Sequence, residues 1–443
     1  MGVKPTRQLG LPLRVKGDAS TSVSVFEGPV GEERLMERVV ERKNLVTALR
    51  RVERNRGAPG VDGMRVEQLR PFLRRHWASI RGQLLTGQYQ PQPVRRVEIP
   101  KTTGGKRKLG IPTVLDRFIQ QALLQVLQGD WDRTFSDASF GFRPGRSAHQ
   151  AVVRAQGHLK AGHRWVVAID LEKFFDRVNH DRLMGEVCGR VCDRRVLRLI
   201  RRYLEAGVLE DDSLHETTEG TPQGGPLSPL LTNLLLDRLD RELERRGHRF
   251  ARYADDCKIY VRSRRAGLRV LSSITLFLCL RLKLKVNESK SGVGRLWEQS
   301  FLGFRFSWHL NRRISPEALK AFKDRVRKIT GRTRGRLIKQ IVLELGRYLK
   351  GWGAYFGFAE VRSIFKELDS WIKRRLRCYL WKQWGRRGYR ELRQRGVSRD
   401  LAWNTVKSAH GPWRLSRSPA LAFALPARYF AALGVPRLFT KPT

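Results

Sequence analysis

The chain has 443 residues, long enough for two or three domains with a full core, and 41% hydrophobic residues agree with a globular fold. The informative quantity is charge: 88 Lys plus Arg against 42 Asp plus Glu leave a formal +46, an excess that would repel itself in a compact monomer and implies a polyanionic partner, most simply nucleic acid. No uninterrupted apolar run of about 18 residues exists to span a bilayer and the first residues lack a secretory apolar stretch, so a soluble, cytoplasmic protein is expected, with no membrane partner.

Residues 1–34 carry Gly, Pro and Ser without periodicity and read as a loose leader. A helical pattern begins at Leu35, with Leu35, Val39, Val46, Leu49 and Val52 near one face, and the Gly-rich run from Asn55 to Gly63 breaks it. Between Val97 and Pro112 two short apolar strands flank the Gly104-Gly105 turn, which is loaded with cations. Alone this is a solvated hairpin tip; opposite a carboxylate cluster it becomes a lid over a triphosphate, with Lys101 and Arg107 as charge clamps. A helix from Thr113 to Leu127 leads to Phe135 through His149, where aromatics interleave with Arg143 and Arg146 in a way that suits stacking and phosphate contact along a nucleic-acid strand. His149, opening the next helix, reads as a helix-end hydrogen bonder.

Trp165 to Ile169 is a short continuous apolar run, read as a strand buried on both faces, and Asp170 stands where it ends. An acid there is either a solvated end residue or a ligand to a cation. Of the paired aromatics Phe174 and Phe175, one must leave the core, and Phe175 is taken as a wall of the site; Asp176 and Asp181 are assigned to capping and surface. Thr221 to Pro229 is a Gly/Pro loop with Ser228 as N-cap and Pro229 at the first helical position, and its Gln223 suits contact with a bound nucleotide. Leu231, Leu234, Leu235 and Leu239 follow on one helix face, and Gly247 stops the run.

Arg252 to Val261 reads as a hairpin around Asp255 and Asp256. Cys257, Ile259 and Val261 point one way and Lys258, Tyr260 and Arg262 the other, as in a half-buried strand. Asp-Asp alone is a serviceable turn; a third acid, Asp170, makes a metal site the sharper reading. Asp170 and Asp255 could hold two Mg2+ ions roughly 3.5 to 4 Å apart, the spacing of in-line phosphoryl displacement. Without cations three clustered acids would raise one another's pKa.

Beyond Lys290, Phe301 to Phe304 continues in strand-like alternation. After Pro316 the texture turns helical: one helix with Ala318, Phe322, Val326 and Ile329 on one side, a second from about 337 to 349, a third from about 361 to 384. Ten basic residues and the single acid Glu391 lie between Trp371 and Arg395 among five Trp and Tyr residues, an imbalance that favours RNA, with Lys373, Arg374, Arg375 and Arg377 as candidate contacts. Cys188, Cys192, Cys257, Cys279 and Cys378 form no zinc pattern and read as ordinary thiols, the first two on one helix.

In this order, the Ile99 to Pro112 hairpin, Ser139 to His149, Asp170 to Asn179, Gly220 to Pro229, Tyr253 to Asp256 and Phe301 to Phe304 resemble the blocks of reverse transcriptases encoded by bacterial group II introns, the maturases. The resemblance runs from about residue 35 to about 438. It implies an α+β right-hand polymerase: fingers and an antiparallel palm sheet over 35–315, an α-helical thumb over 316–385 and a basic C-terminal region, 386–443, that binds RNA or DNA. It implies that Asp170, Asp255 and Asp256 are the catalytic acids and, with Leu171, the holders of two Mg2+ ions. Phe175 matches the aromatic that screens the sugar's 2′ position, Gln223 and Lys290 match nucleotide contacts, and Lys101 and Arg107 match contacts to its phosphates. The implied partners are intron RNA or another RNA template, a DNA primer or target DNA, and deoxynucleoside triphosphates. A C-terminal cysteine-rich endonuclease segment is not expected. Two other readings stay open: an RNA-binding splicing cofactor, and a reverse transcriptase adopted by its host for defence or repair.

Overall fold

The computed structural model describes residues 34–100, 106–210 and 213–439. The expected leader (apart from Arg34) and Lys101 lie outside them. The pattern starting at Leu35 forms two helices, Leu35–Val39 and Arg42–Asn55. The break rotates the second helix, so Leu35, Val39 and Val52 reach the core while Val46 is 40% exposed. Helix Val66–Thr86 ends at Gly87, whose φ of 70° is the left-handed conformation that closes helices. Helix Val114–Thr134 begins where Thr113 accepts a hydrogen bond from the Asp116 amide.

The strands are β1 (Val94–Pro100), β2 (Lys106–Ile111), β3 (Trp165–Ile169), β4 (Val208–Glu210), β5 (Ser213–His215), β6 (Arg249–Tyr253), β7 (Asp256–Val261), β8 (Gly292–Arg295), β9 (Ser300–Phe301), β10 (Phe304–Phe306) and β11 (Arg312–Ile314). They form sheets ordered β2-β1-β4-β5, β6-β7-β3-β8 and β11-β10-β9. The middle sheet is antiparallel throughout, as expected of a palm. The Phe301 to Phe304 stretch is a hairpin instead of a continuing strand: Leu302 and Gly303, with φ of 51° and 79°, form a two-residue turn whose twist matches its strands.

Period-two alternation splits the palm sheet between two cores. Val167, Ile169, Phe250, Cys257 and Ile259 face one, packed against helices Ser228–Arg245 and Arg264–Leu282. Val166, Ala251 and Tyr260 face the other, which includes Ala151, Ala155 and Leu159 of helix Ala148–Lys160. Strand β7 is therefore buried on both sides, and the half-buried expectation is corrected. Lys258 is only 9% exposed because its ammonium lies 3.0 Å from Asp256 Oδ1. The second core continues through Phe322, Leu345, Leu376 and Phe430, so helices Pro316–Ile329, Ile338–Phe356 and Ser363–Trp384 and the C-terminal turns share it with the back of the palm. Cys188 closes helix His180–Cys188 and Cys192 lies past its end, against the single-helix expectation; all five cysteines are free thiols. Among the described residues no helix is long and apolar enough to cross a membrane.

Candidate active site

The acids meet because of strand register. The last pair between β3 and β7 is Ile169 with Cys257, so Asp170 and Asp256 stand at the same end of adjacent strands. Directly opposite residues in such a ladder are roughly 4.5 to 5.5 Å apart at Cα. Asp255 occupies the turn between β6 and β7, where Tyr253 pairs with Asp256 and Ala254 adopts φ 56°. Period two puts Asp256 and Lys258 on one face of β7, which explains their ion pair.

The backbone of Asp170 is fixed from the neighbouring loop. Its N–H donates to Ser291 Oγ at 2.9 Å, and its carbonyl accepts from Asn287 N at 2.8 Å and Ser291 Oγ at 3.3 Å. Leu171 bridges to Val286. The Asp170 side chain is 44% exposed, with Lys290 Nζ 4.0 Å from Oδ2. Burial pushes the Asp256 carboxyl above its ordinary range; Lys258 pulls it down and the Asp170 charge pushes it up again. Among the described residues no group of three His, Cys, Asp or Glu side chains closes on a metal ion. Two or three carboxylates opening to solvent still suit Mg2+, which binds through one or two carboxylates and keeps waters and substrate oxygens as its other ligands. Like-charge strain between Asp170 and Asp256 is what bound cations would relieve.

Four and five residues past Asp170 in the chain, Phe174 is buried and Phe175 half-buried, edge-on to it at 5.4 Å. Phe175 and Gln223 line one small cavity of about 70 Å³ with Arg96, Lys108, Gly110 and Thr221. The loop carrying Gln223 is tied to both neighbours: Thr221 N donates to Phe175 O at 2.6 Å, and Gly110 N donates to Gln223 O at 3.1 Å. Gly220, with φ 95°, allows this closeness, since a Cβ there would sit 3.0 Å from Asp176 O. Ser228 is the first residue of its helix instead of the cap, its hydroxyl donating to Pro222 O at 2.8 Å. Of Arg107 only its place in β2, opposite Ile99, is described.

Residues 99–306 match the family model "Reverse transcriptase (RNA-dependent DNA polymerase)", and residues 319–397 match "Group II intron, maturase-specific domain". Protein YkfC of Escherichia coli is 38% identical over 220 residues, 48% of this chain and 58% of that protein. The group II intron-encoded protein LtrA of Lactococcus lactis is 40% identical over 182 residues, 41% of this chain and 29% of that one. The chain belongs to the group II intron reverse transcriptase/maturase family. It spans only part of the length of these relatives. Among solved structures, a partial Cas6-RT-Cas1–Cas2 complex aligns at 27% identity and TM-score 0.37, covering 56% of this chain and 42% of that one; Candida albicans telomerase aligns at 11% identity and TM-score 0.41, covering 66% and 59%.

In this chain the arginines expected on RNA are engaged by the protein itself. Arg143 is buried, bonded to Asp132 and to the carbonyls of Ser136 and Ser139. Arg146 reaches Asp137 at 2.7 Å. Arg374 stacks on Trp413 at 3.8 Å and donates to Ser416 Oγ, Arg375 donates to Thr330 Oγ1 and the Thr330 carbonyl, and Arg377 donates to Leu425 O. These side chains tie the third thumb helix to its neighbours, because a guanidinium directed into a packed interface finds carbonyls first; Lys373 beside them is half-buried. His149 is likewise more than a helix-end bonder. Its Nε2 lies 2.8 Å from Tyr355 O and its ring stacks on Phe358 at 4.4 Å, joining palm to thumb, while Ser147 and Gln150 cap the helix.

Sequence reasoning missed Lys258, Ser291, Asn287 and Arg252. A lysine inside a strand buried on both faces was the available signal for the first. The others act through backbone or through helix Ser228–Arg245 and leave no local pattern.

Proposed function

We propose that the protein is an RNA-directed DNA polymerase of group II intron type that extends a primer with deoxynucleotides on an RNA template and also assists the splicing and mobility of its intron RNA. The observation that carries this reading is the strand register that brings Asp170, Asp255 and Asp256 to one end of the palm sheet. We assign 35–315 to fingers and palm, 316–385 to the thumb and 386–443 to a nucleic-acid-binding region, and place the protein in the bacterial cytoplasm. Asp170, Asp255 and Asp256, with the Leu171 carbonyl, would hold two Mg2+ ions. When bound, these activate the primer 3′-hydroxyl and neutralise the charge that develops on the leaving pyrophosphate. Phe175 bars a 2′-hydroxyl, Gln223 and Lys290 orient the nucleotide, and Lys101 and Arg107 draw its phosphates under the hairpin.

Asp255→Asn is expected to reduce cDNA synthesis on a primed RNA template to background while RNA binding stays nearly intact. Synthesis near the wild-type rate would refute the assignment. Retained splicing by that same variant would place the RNA-chaperoning role on the basic helices and not on the acids.

A further inference from the structure

We propose that Arg252 is the positioning residue of the metal-binding turn, its guanidinium fixing Ala254 and so the directions of Asp255 and Asp256. This rests on the reading of those acids as metal holders. Arg252 is 1% exposed, and its side chain points away from the site, toward helix Ser228–Arg245. Nε donates to Asp240 Oδ1 at 2.7 Å. Nη2 donates to Asp240 Oδ2 at 2.5 Å and Ser139 Oγ at 2.8 Å. Nη1 donates to Asn233 Oδ1 at 3.0 Å and to the carbonyl of Ala254 at 2.9 Å. A guanidinium has five N–H donors in a fixed planar fork, and each finds an acceptor. Four of the five acceptors lie on the helix and on the Ser139 segment; the fifth is the turn itself. Bonds to elements that cannot move thus determine where the carbonyl of Ala254 sits.

The turn needs such a grip. Ala254 holds φ 56°, a region that a residue with a Cβ occupies only when its surroundings impose it. The segment that carries Ser139 also holds the backbone leading into the turn. Phe140 N donates to Arg252 O and Arg252 N to Ala138 O, both at 2.9 Å. The approach is so close that a Cβ on Gly141 would lie 2.3 Å from Ala254 N. Asn233 joins the guanidinium to this segment, accepting from Arg252 and donating Nδ2–H to Gly141 O at 2.8 Å. Lysine has one ammonium and no fork, so it cannot reach Asp240, Asn233, Ser139 and Ala254 together. Released, the turn would let the carboxylates of Asp255 and Asp256 wander from the geometry a metal ion demands.

The test is primer extension by the full-length protein across a Mg2+ titration, comparing wild type, Arg252→Lys and Ser139→Ala, with Leu345→Ala in the thumb core as a destabilised control. Arg252→Lys is expected to raise the Mg2+ concentration for half-maximal rate about tenfold and to lower kcat, as loss of a group supporting metal ligands does. Affinity for primer–template and KM for the nucleotide should hold, and added Mg2+ should restore part of the rate. Ser139→Ala, which removes one acceptor, should shift the Mg2+ requirement less and in the same direction; it decides the matter if Arg252→Lys does not fold. A folded Arg252→Lys with the wild-type Mg2+ requirement overturns the proposal, as does an equal shift in Leu345→Ala, which would make the effect one of general stability. Either result leaves Asp255→Asn inactive and the polymerase reading standing. An active Asp255→Asn would remove that reading, and the positioning role with it.

Discussion

Phe175 tests how far a single side chain governs substrate choice. It is half-buried and held on edge by Phe174, and its carbonyl is pinned by Thr221, so its ring has little freedom to swing aside. Phe175→Ala is expected to weaken discrimination between deoxy- and ribonucleotides by about 10- to 100-fold, the scale set by removing an apolar group from a pocket, with polymerisation of deoxynucleotides largely kept. The check is the ratio of kcat/KM for the two nucleotide types; an unchanged ratio would show that another group screens the sugar. At this scale the sequence was legible where chemistry is unusual for its surroundings. An acid at the end of an apolar strand and two acids in a hairpin turn announce themselves. Arg252 does not, since its partners at positions 139, 233 and 240 are brought together only by the tertiary fold.

At the scale of elements, period and caps were readable and contacts between elements were not. The helix pattern after Pro316 places Phe322, Val326 and Ile329 in the core as expected, whereas the break at Val40 and the Leu302-Gly303 turn depend on local backbone states that apolar spacing does not encode. Helix Ala148–Lys160 shows the consequence for stability. Its His158 is 9% exposed, packs on Tyr260 and donates Nε2–H to Phe250 O at 3.2 Å, so it joins the helix to β6. Burial lowers its pKa from 6.5 to about 4. The folded-state value lies below the unfolded one, so the unfolded chain takes up the proton first as pH falls. The contribution is present above pH 6.5 and is lost on acidification through the window down to about 4. Between pH 7 and pH 5 this amounts to roughly 2 kcal/mol. His158→Gln should flatten that part of the acid limb in urea-midpoint measurements, and an unaltered limb would assign the loss to other groups.

For the whole molecule, the sequence states the total charge but not which cations are available. A formal +46 makes a polyanionic partner the expected one, and the thumb shows why counting arginines in a run does not locate the binding surface. Arg374, Arg375 and Arg377 are half-buried and bonded to carbonyls and hydroxyls of this chain, whereas Lys382, Arg386, Arg387 and Arg390, further along the same basic run, are exposed. Mobile, solvated cations release counterions from a nucleic acid at little cost to the fold; cations already holding helices together cannot turn outward without breaking those bonds. Two multiple variants separate the classes. Replacing Lys382, Arg386, Arg387 and Arg390 with Gln should weaken RNA binding and reduce the slope of log affinity against log salt by about 0.7 for each single-strand phosphate that the protein no longer neutralises. Replacing Arg374, Arg375 and Arg377 with Met should lower the melting temperature and leave that slope nearly unchanged. If the second variant flattens the salt dependence and the first does not, the half-buried arginines bind the RNA after all, and the thumb must rearrange when RNA arrives.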